Sequence, residues 1–480
     1  KRSVAQQGSV REQTNTQTAF MDLSPVYGHS AERNSILRTH QDGLMKEDPE
    51  VGVPINNAGH KMEGPESGWS KQRLCGDTRG NVNPGLLSLH GLFVLEHNRK
   101  ARELKQANPE WNDDKLFQEA RKFNIAIYQA IVIHEYYPAI TGEALPTYSG
   151  YSAAINPEVD NFFSAASYRY GHSAINSVYL RLDEELVPDM SGPVLLRDVY
   201  FKADYMEWGG IKPLILGLVF EPEQEVDLSM VDDLRHFVEG VASDLAARDI
   251  QRGRDHGLPS YNQARNFFGL PEAKTFQDIN PDFKVYAKLQ EAYDNDIEKV
   301  DPWVGGLAEV HNENAMIGSL FTASFREQFN RSRQGDRLWF ENVFKDAELT
   351  AITNTRLNDI IKRNLSITNL PLSAFKAETP ADFFKRLWGI GGGGEEEEQQ
   401  EEEEEGTNEE DGGGNEEQPG NKAKATLKAG LDLYWTLSDN NTKANFELVA
   451  ADASGWIGFG FGASMPETDV YICYVNDGNG

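Results

Sequence analysis

The sequence is poor in cysteine, with only Cys75 and Cys473 among its 480 residues. Two cysteines so far apart form neither a disulfide framework nor a cluster of metal ligands, and they leave the redox compartment open. No apolar stretch reaches the roughly 18 residues that a membrane-spanning helix requires. The His-Glu-x-x-His zinc motif, the phosphate-binding glycine loop and the nucleophile elbow are missing as well. The sequence therefore predicts no membrane span and none of those three kinds of catalytic site.

Positive charge is also scarce, since 46 Lys and Arg face 76 Asp and Glu, for a formal net charge of −30. Fourteen of the acidic residues lie between Glu395 and Glu417. A surface that binds nucleic acid or an anionic membrane needs Lys and Arg to displace counterions. We therefore expect no nucleic-acid partner.

The composition changes twice along the chain, which at 480 residues is long enough for more than one domain. Residues 1–390 have a mainly helical pattern. Residues 391–422 form a Gly/Glu-rich tract without apolar side chains, which we expect to be a disordered linker. Residues 423–480 alternate apolar and polar side chains, as strands of an antiparallel sheet do. The chain begins at Lys1 without a methionine and is interpreted as an internal fragment of a longer protein.

Three stretches of the first part keep the spacing of an amphipathic helix. One is expected to open just after Pro84 and to run through Leu104, and a second to run from Asp113 until Pro138 and Gly142 end it. A third is expected over residues 237–250, before Gly257 and Pro259. The sequence thus predicts a mainly α fold for residues 1–390.

Two runs in this helical part carry the most chemical information. Residues 167–173 read Ser-Tyr-Arg-Tyr-Gly-His-Ser, and residues 251–259 read Gln-Arg-Gly-Arg-Asp-His-Gly-Leu-Pro. Together, and in this order, they resemble the animal haem peroxidases. The resemblance covers about residues 10–380 and is strongest toward peroxidasin and dual-oxidase ectodomains. It implies the helical fold of that family and haem b as cofactor.

The resemblance implies that His172 is the axial ligand of the haem iron. Arg169 and Arg252 would contact the haem propionates, because a guanidinium makes bidentate contacts with carboxylates. The other N–H of a ligating imidazole needs an acceptor, which in the family is usually an asparagine and here is Asp249. A carboxylate accepts more strongly and gives the imidazole more anionic character. The alternatives are a peroxidase-like fold without haem, and an Asp249 that pairs with Arg248 or Arg252 instead.

The peroxide side of the site resembles the family at residues 75–79, which read Cys-Gly-Asp-Thr-Arg. Arg79 would be catalytic, because its fixed charge stabilises the negative oxygen that develops as peroxide splits. Secreted mammalian members carry a Glu and a Met just after this arginine, and both bond covalently to haem. Val82 and Asn83 stand at those positions here and cannot form either bond. We therefore expect haem to be less firmly tethered.

The distal base of the family, a histidine followed by aspartate, has no match in residues 1–30. His29 stands in a different motif. Peroxide activation needs a base that takes one proton and returns it to the leaving oxygen. Either that base lies upstream of this sequence or the protein lacks it.

A possible calcium site lies near the start of the chain, where residues 18–24 resemble the calcium loop of the same family. Thr18 and Ser24 would offer hydroxyls, Asp22 a carboxylate and Phe20 its backbone carbonyl. Calcium prefers several oxygens in a flexible geometry, and alternate residues let four of them converge. The resemblance thus implies Ca²⁺ as a second cofactor.

The C-terminal strands resemble a DOMON domain, a β-sandwich, at residues 433–435, 455–461 and 464–470. Several members of that family bind haem b through a methionine and a later histidine. Met465 stands at the methionine position, so a second haem b is a candidate cofactor here. Sugar binding, or no ligand at all, stays open.

The main functional hypothesis is a secreted or cell-surface haem peroxidase. It would reduce hydrogen peroxide and oxidise phenols, tyrosyl side chains or small anions. Sequons at Asn330, Asn364 and Asn440 would permit glycosylation outside the cell. Two other interpretations stay open, namely a non-catalytic interaction module and the extracellular part of a dual-oxidase-like membrane oxidoreductase. The pattern does not indicate an oligomeric state.

Overall fold

The computed structural model describes residues 13, 15, 17–207, 209–378, 383 and 386, together with the backbone of five strands between residues 423 and 475. The chain divides into two compact units, Lys1–Gly393 and Gly394–Gly480. The proposed linker at 391–422 and Met465 lie outside the described residues.

The first unit is mainly helical. Its longer α-helices, of seven residues or more, are α2 (Ala31–Leu37), α3 (Pro84–Ala107), α4 (Asp113–Ile131), α8 (Lys212–Phe220), α10 (Leu245–Asp255), α11 (Tyr261–Phe267), α13 (Phe283–Ala292), α14 (Pro302–Ala308), α15 (Ser319–Gln334), α17 (Asp346–Asn354) and α18 (Leu357–Leu365). None of the helices that the structure describes is both long and apolar enough to cross a membrane.

Shorter elements connect these helices. The short α-helices are α1 (Ser24–Tyr27), α5 (Tyr137–Thr141), α6 (Asn161–Ala165), α7 (Leu196–Val199), α9 (Asp232–Arg235), α12 (Phe276–Ile279) and α16 (Phe340–Val343). The 3₁₀ turns are Glu66–Lys71, Ser167–His172, Asp204–Glu207, Val238–Gly240 and Ile297–Lys299. A π-helical turn, Val132–Tyr136, separates α4 from α5. Strands β1 (Val178–Tyr179) and β2 (Val194–Leu195) pair antiparallel.

Helices α3 and α4 are present where the sequence predicts them. Asn83 caps α3 by accepting from Leu86 N at 2.8 Å, and Pro84 occupies the first turn, where its missing N–H costs nothing. Asn112 caps α4 by accepting from Lys115 N at 2.9 Å. The helical path continues through the π turn, and α5 ends at Gly142, whose φ of 71° suits glycine.

The third predicted helix begins later than expected, so that part of the prediction was wrong. Its helix, α10, starts at Leu245, and Asp244 caps it by accepting from Ala247 N at 3.0 Å. Upstream, Glu239 has a φ of 57°, which interrupts any helix there. Phe237 and Val241 are 46% and 54% exposed. Their helical spacing therefore did not reflect a buried helix face.

Helix α4 lies between the two large hydrophobic clusters of the first unit. Phe117, Ile127 and Ile131 pack into one cluster, which also holds residues of α3 and α8. Ala126 and Ala130, on another side of α4, pack into the second cluster, which includes α14 and α15. Because α4 contributes side chains to both clusters, it links them.

A buried carboxylate joins α3 to α18. Glu96 is fully buried, and its two oxygens accept from the side chains of Arg99, Arg363 and Asn364 at 2.6–3.0 Å. Burial alone would raise the pKa of Glu96, but the hydrogen bonds from Arg99 and Arg363 outweigh it and hold that pKa below its ordinary value. Asn364 also donates to the carbonyl of Ile360, so this sequon is not free to carry a glycan.

The second unit contains strands at the positions expected from sequence. Strands β3 (Ala423–Lys428), β4 (Leu431–Ser438) and β5 (Lys443–Ala450) form one antiparallel sheet, and β6 (Gly455–Gly460) pairs with β7 (Val470–Val475) in another. The described strands do not form a β-sandwich, so the finer expectation of that architecture is not supported here.

Replacing Glu96 by glutamine is expected to lower the free energy of unfolding by about 2 kcal/mol near neutral pH, because charged hydrogen bonds to two arginines are lost. Since the folded-state pKa of Glu96 lies below its unfolded value, this stabilisation is present above the unfolded pKa and is lost as pH falls through the folded pKa. Denaturant unfolding across pH measures it. Glu103→Gln is the matched control, because Glu103 is 52% exposed and its ion pair with Arg99 contributes little. Equal losses in the two variants would contradict the assignment.

Candidate active site

The histidine singled out in the sequence closes a short 3₁₀ turn, Ser167–His172, that is fixed at both ends. The hydroxyl of Ser167 lies 2.7 Å from that of Ser324 on α15. At the other end, the hydroxyl of Ser173 accepts from Asp227 N at 2.9 Å. The turn therefore holds the His172 ring on a rigid support.

The His172 ring is oriented by a buried carboxylate. Its Nδ1 lies 2.5 Å from Oδ2 of Asp249, whose side chain is fully buried on α10. The other oxygen, Oδ1, lies 2.5 Å from Nη1 of Arg169. Asp249 thus contacts His172 and Arg169, rather than Arg248 or Arg252. As acceptor, the carboxylate fixes the hydrogen of the neutral ring on Nδ1 and leaves Nε2 with a lone pair.

The remaining nitrogen of His172 is available to a metal. No described protein atom bonds Nε2, and the side chain is 29% exposed. A Cβ added at neighbouring Gly171 would meet no atom within 4 Å, so this face of the turn is open. No group of three or more His, Cys, Asp or Glu side chains among the described residues could hold a metal ion. A single imidazole nitrogen that keeps its lone pair is a ligand that haem iron takes, so His172 fits haem.

Helix α10 is positioned by contacts with α14. Arg254 makes two hydrogen bonds to Asp301, at 2.9 and 2.7 Å, just before α14. On α14 itself, Trp303 donates from its indole nitrogen to the carbonyl of Arg169 at 3.2 Å. Arg252 is exposed and lies one helical turn from Asp249, on the same side of α10. It therefore lies on the same side of α10 as Asp249, which contacts His172, and it is exposed to solvent.

The link between Arg169 and Asp249 was missed in the sequence, where Arg169 was assigned to a propionate alone. Its Nε donates to the carbonyl of Ser164 at 3.1 Å while Nη1 binds Asp249. A signal was available, because side chains three residues apart eclipse each other on a 3₁₀ turn. Arg169 and His172 therefore reach the same carboxylate.

Arg79 is held by its neighbour. It donates from Nε to Oδ1 and from Nη2 to Oδ2 of Asp77, at 2.9 and 2.5 Å, and its side chain is 56% exposed. Burial would raise the pKa of Asp77, but the hydrogen bonds from Arg79 prevail and lower it, so the pair stays charged. A Cβ at Gly76 would lie 2.5 Å from the backbone nitrogen of Gly28. Only glycine lets this segment pass so close to the end of α1.

A third hydrophobic cluster contacts both the Arg79 segment and α10. Val82 packs against it, and so does Leu245, the first residue of α10. Asn83 caps α3. No contact between Arg79 and His172 occurs in the described part of the chain.

Other histidines have structural roles. His97 is fully buried between the hydroxyl of Tyr27 and the carbonyl of Gly43, both at 2.9 Å. His90 is 5% exposed, and burial lowers its pKa to about 4, so it is neutral at physiological pH. His29 is exposed between α1 and α2.

In the possible calcium loop, two side-chain oxygens close short turns with the backbone. Thr18 Oγ1 accepts from Phe20 N at 3.1 Å, and Asp22 Oδ1 accepts from Ser24 N at 2.9 Å. A second carboxyl, that of Asp336, is buried nearby, and its pKa is raised by burial and by the charge of Asp22. With so few carboxylates, a calcium ion here would depend on hydroxyl and carbonyl oxygens.

Known proteins match the helical first unit of this chain. The family model described as animal haem peroxidase matches residues 1–375. The chain is 36% identical over 372 residues to peroxinectin A of Dictyostelium discoideum, covering 76% of this chain and 69% of that protein. It is 35% identical over 410 residues to human thyroid peroxidase, covering 78% of this chain but only 43% of that protein. The chain is also 36% identical to peroxidasin from Drosophila melanogaster, and the match covers 25% of that protein.

Solved structures give the same result. Peroxidase A from Dictyostelium discoideum superposes with a TM-score of 0.67 at 33% identity, covering 76% of this chain and 70% of that one. A fatty acid alpha-dioxygenase from Arabidopsis thaliana superposes with a TM-score of 0.61 at 21% identity, covering 76% and 65%. The second likeness concerns the fold alone.

Asp249→Ala is expected to lower the free energy of unfolding by roughly 3 kcal/mol, because Arg169 loses a buried partner. It is also expected to release the His172 ring, so that the neutral imidazole populates both tautomers. Asp249→Asn is the matched comparison, since its amide oxygen still accepts from Nδ1. Nitrogen-15 NMR of the histidine ring measures the tautomer, and denaturant unfolding measures the stability. Identical ring signals in the unaltered chain and Asp249→Ala would contradict the contact.

Proposed function

This chain belongs to the animal haem peroxidase family, and from that premise we propose that it binds haem b through His172 and reduces hydrogen peroxide. The observation that carries the proposal is the His172 ring, with Nδ1 bonded to buried Asp249 and Nε2 free of described protein partners. When bound, haem would supply the redox chemistry that splits the peroxide bond. The protein's own part is to hold the ring, exclude competing ligands and place charges.

The arginines would place positive charge around the cofactor. Arg79, held by Asp77, is proposed to stabilise the negative charge that develops on the leaving oxygen. Arg252, exposed one turn from Asp249, is proposed to contact a propionate. Arg169 is a weaker candidate for the second propionate, because Asp249 and Ser164 already occupy its Nη1 and Nε.

The donors are proposed to be phenols or tyrosyl side chains rather than small anions. The net charge of −30 disfavours approach of anions to the protein by long-range repulsion. A neutral phenol is not repelled in this way.

A calcium ion bound by Thr18, Phe20, Asp22 and Ser24 is part of the proposal, and so are an extracellular location and a DOMON-like second unit with a possible second haem. Close turn geometry supports the first. The sequon at Asn330, whose side-chain oxygen accepts from Arg333, is a candidate glycosylation site and supports the second. The antiparallel sheets β3-β4-β5 and β6-β7 are compatible with a DOMON-like second unit.

A second candidate function is a peroxidase-like module that binds partners without catalysis. It is favoured by one observation, namely that the Nε and Nη2 donors of Arg79 are already bonded to Asp77.

Haem titration separates the two candidates. The unaltered chain is expected to develop a Soret band when haem is added, and His172→Ala is expected to lose it, because the axial nitrogen is gone. His29→Ala is the matched control and should keep the band, since His29 is exposed and belongs to another segment. No Soret band in the unaltered chain would favour the non-catalytic candidate.

Asp249→Asn is expected to raise the reduction potential of bound haem. The neutral amide draws the Nδ1 proton less strongly than a carboxylate, so the imidazole donates less charge to iron and ferric iron is less stabilised. A spectroelectrochemical titration measures the change. An unaltered potential would mean that Asp249 acts on Arg169 alone.

A further inference from the structure

Three tyrosine hydroxyls converge beside the turn that carries His172. The hydroxyl of Tyr136 lies 3.1 Å from that of Tyr170 and 3.4 Å from that of Tyr168. Tyr170 and Tyr168 precede His172 by two and four residues on the same 3₁₀ turn, and Tyr136 ends the π turn after α4. Because Tyr136 directs its one hydrogen toward Tyr168, Tyr170 must donate to Tyr136. We call these three residues the tyrosine triad.

The triad runs from the core to an open cavity. Tyr170 is 7% exposed, whereas Tyr168 is 46% exposed. Tyr168 and Tyr136 line a cavity of about 370 Å³ whose other walls include Phe93, Ile131 and Phe163, and none of the described residues that line it is charged. The cavity therefore suits a small neutral aromatic molecule.

Packing alone does not account for the three hydroxyls. Tyr168 stacks on Phe163 with ring centroids 4.7 Å apart, and Tyr170 meets Phe325 edge to face at 5.6 Å. Phenylalanine would make the same ring contacts at either position. A hydroxyl buried in such a place costs free energy unless it has a partner, and here the partners are the other two hydroxyls.

The chemistry of a buried phenol favours a chain of hydroxyls. A phenol that loses an electron becomes a strongly acidic radical cation, so it gives up its proton to a hydrogen-bonded neighbour at the same time. Within the triad that proton can pass from Tyr170 to Tyr136 and on to Tyr168, which releases its own hydroxyl proton into the cavity.

We propose that the tyrosine triad is a one-electron relay that connects the proposed haem site with phenolic donors in the cavity. The inference rests on the proposed function, which supplies hydrogen peroxide as the oxidant. Each step removes one electron and one proton from a tyrosine and leaves a neutral phenoxyl radical. A phenol in the cavity then returns a hydrogen atom to Tyr168. Two phenols are consumed per peroxide, giving two phenoxyl radicals and two molecules of water.

Without a donor, the oxidation is expected to stay on the protein. The full chain, loaded with haem and treated with hydrogen peroxide, should give a tyrosyl radical signal in freeze-quenched electron paramagnetic resonance. Two such radicals on exposed Tyr168 side chains of two molecules would then couple through their rings, and each ring hydrogen at the new bond would move to its own phenoxyl oxygen. Mass spectrometry would find that dityrosine cross-link. Tyr136→Phe should keep a radical on Tyr170 but abolish the cross-link at Tyr168, because the connection is broken.

Two controls make the outcome specific. Tyr168→Phe should abolish the cross-link while the haem Soret band is unchanged. Tyr205→Phe should change neither, because Tyr205 is equally buried but its hydroxyl has no partner among the described residues. A cross-link at Tyr168 that survives in Tyr136→Phe would overturn the relay, as would equal loss in Tyr205→Phe.

A haem-free arm separates this inference from the proposed function. Azidyl radicals from pulse radiolysis are neutral, and each takes one electron from a tyrosine to give azide and a proton. In the unaltered chain without haem, these radicals reach the exposed Tyr168 directly, and the oxidation is expected to pass inward through Tyr136 to the buried Tyr170. Tyr136→Phe is expected to remove the Tyr170 part of the radical signal. A chain without a Soret band that still shows this dependence retains the relay and loses the peroxidase proposal. A Soret band with no dependence on Tyr136 in either arm supports the peroxidase proposal and overturns the relay.

Discussion

The contact between Asp249 and its two basic partners is the constraint on which the site depends. A carboxylate with no solvent exposure is tolerated only if both of its oxygens are bonded. One oxygen takes Arg169 and the other takes His172, and these two residues come from one turn. The same contact therefore joins α10 to the turn, sets the tautomer of the ring and leaves Nε2 without a partner among the described residues. Arg254 on α10 bonds Asp301, and Trp303 on α14 bonds the carbonyl of Arg169. Contacts with the α14 region therefore also hold α10 and the turn in place.

Several parts of this arrangement could be predicted from the sequence for physical reasons. Helices α3 and α4 are long, have clear apolar spacing and open at good caps, so local signals suffice. The start of α10 could not be placed, because Phe237 and Val241 have helical spacing but stand exposed before a residue with positive φ. Spacing records which residues are apolar, and it does not record whether anything covers them.

Contacts across long separations mark the limit of the sequence. The proximity of Asp249 to His172 was predicted only through resemblance to a family, and its second bond to Arg169 was missed. The tyrosine triad joins residue 136 to a turn more than thirty residues later. Nothing local to either segment indicates that hydroxyls meet there. The position of the Arg79 segment likewise depends on the close approach of Gly76 to Gly28, which only the folded chain reveals.

The π turn at Val132–Tyr136 has a consequence for how such a site can arise. A π turn holds one residue more than the α turn it replaces, and such turns often mark functional positions. One residue corresponds to about 100° of rotation around a helix axis. An ancestor with one codon fewer in this helix would have kept the same apolar core and aimed a different side chain at the turn below. Single-codon insertion is thus a route by which an already stable scaffold acquires a new aromatic hydroxyl beside a candidate site.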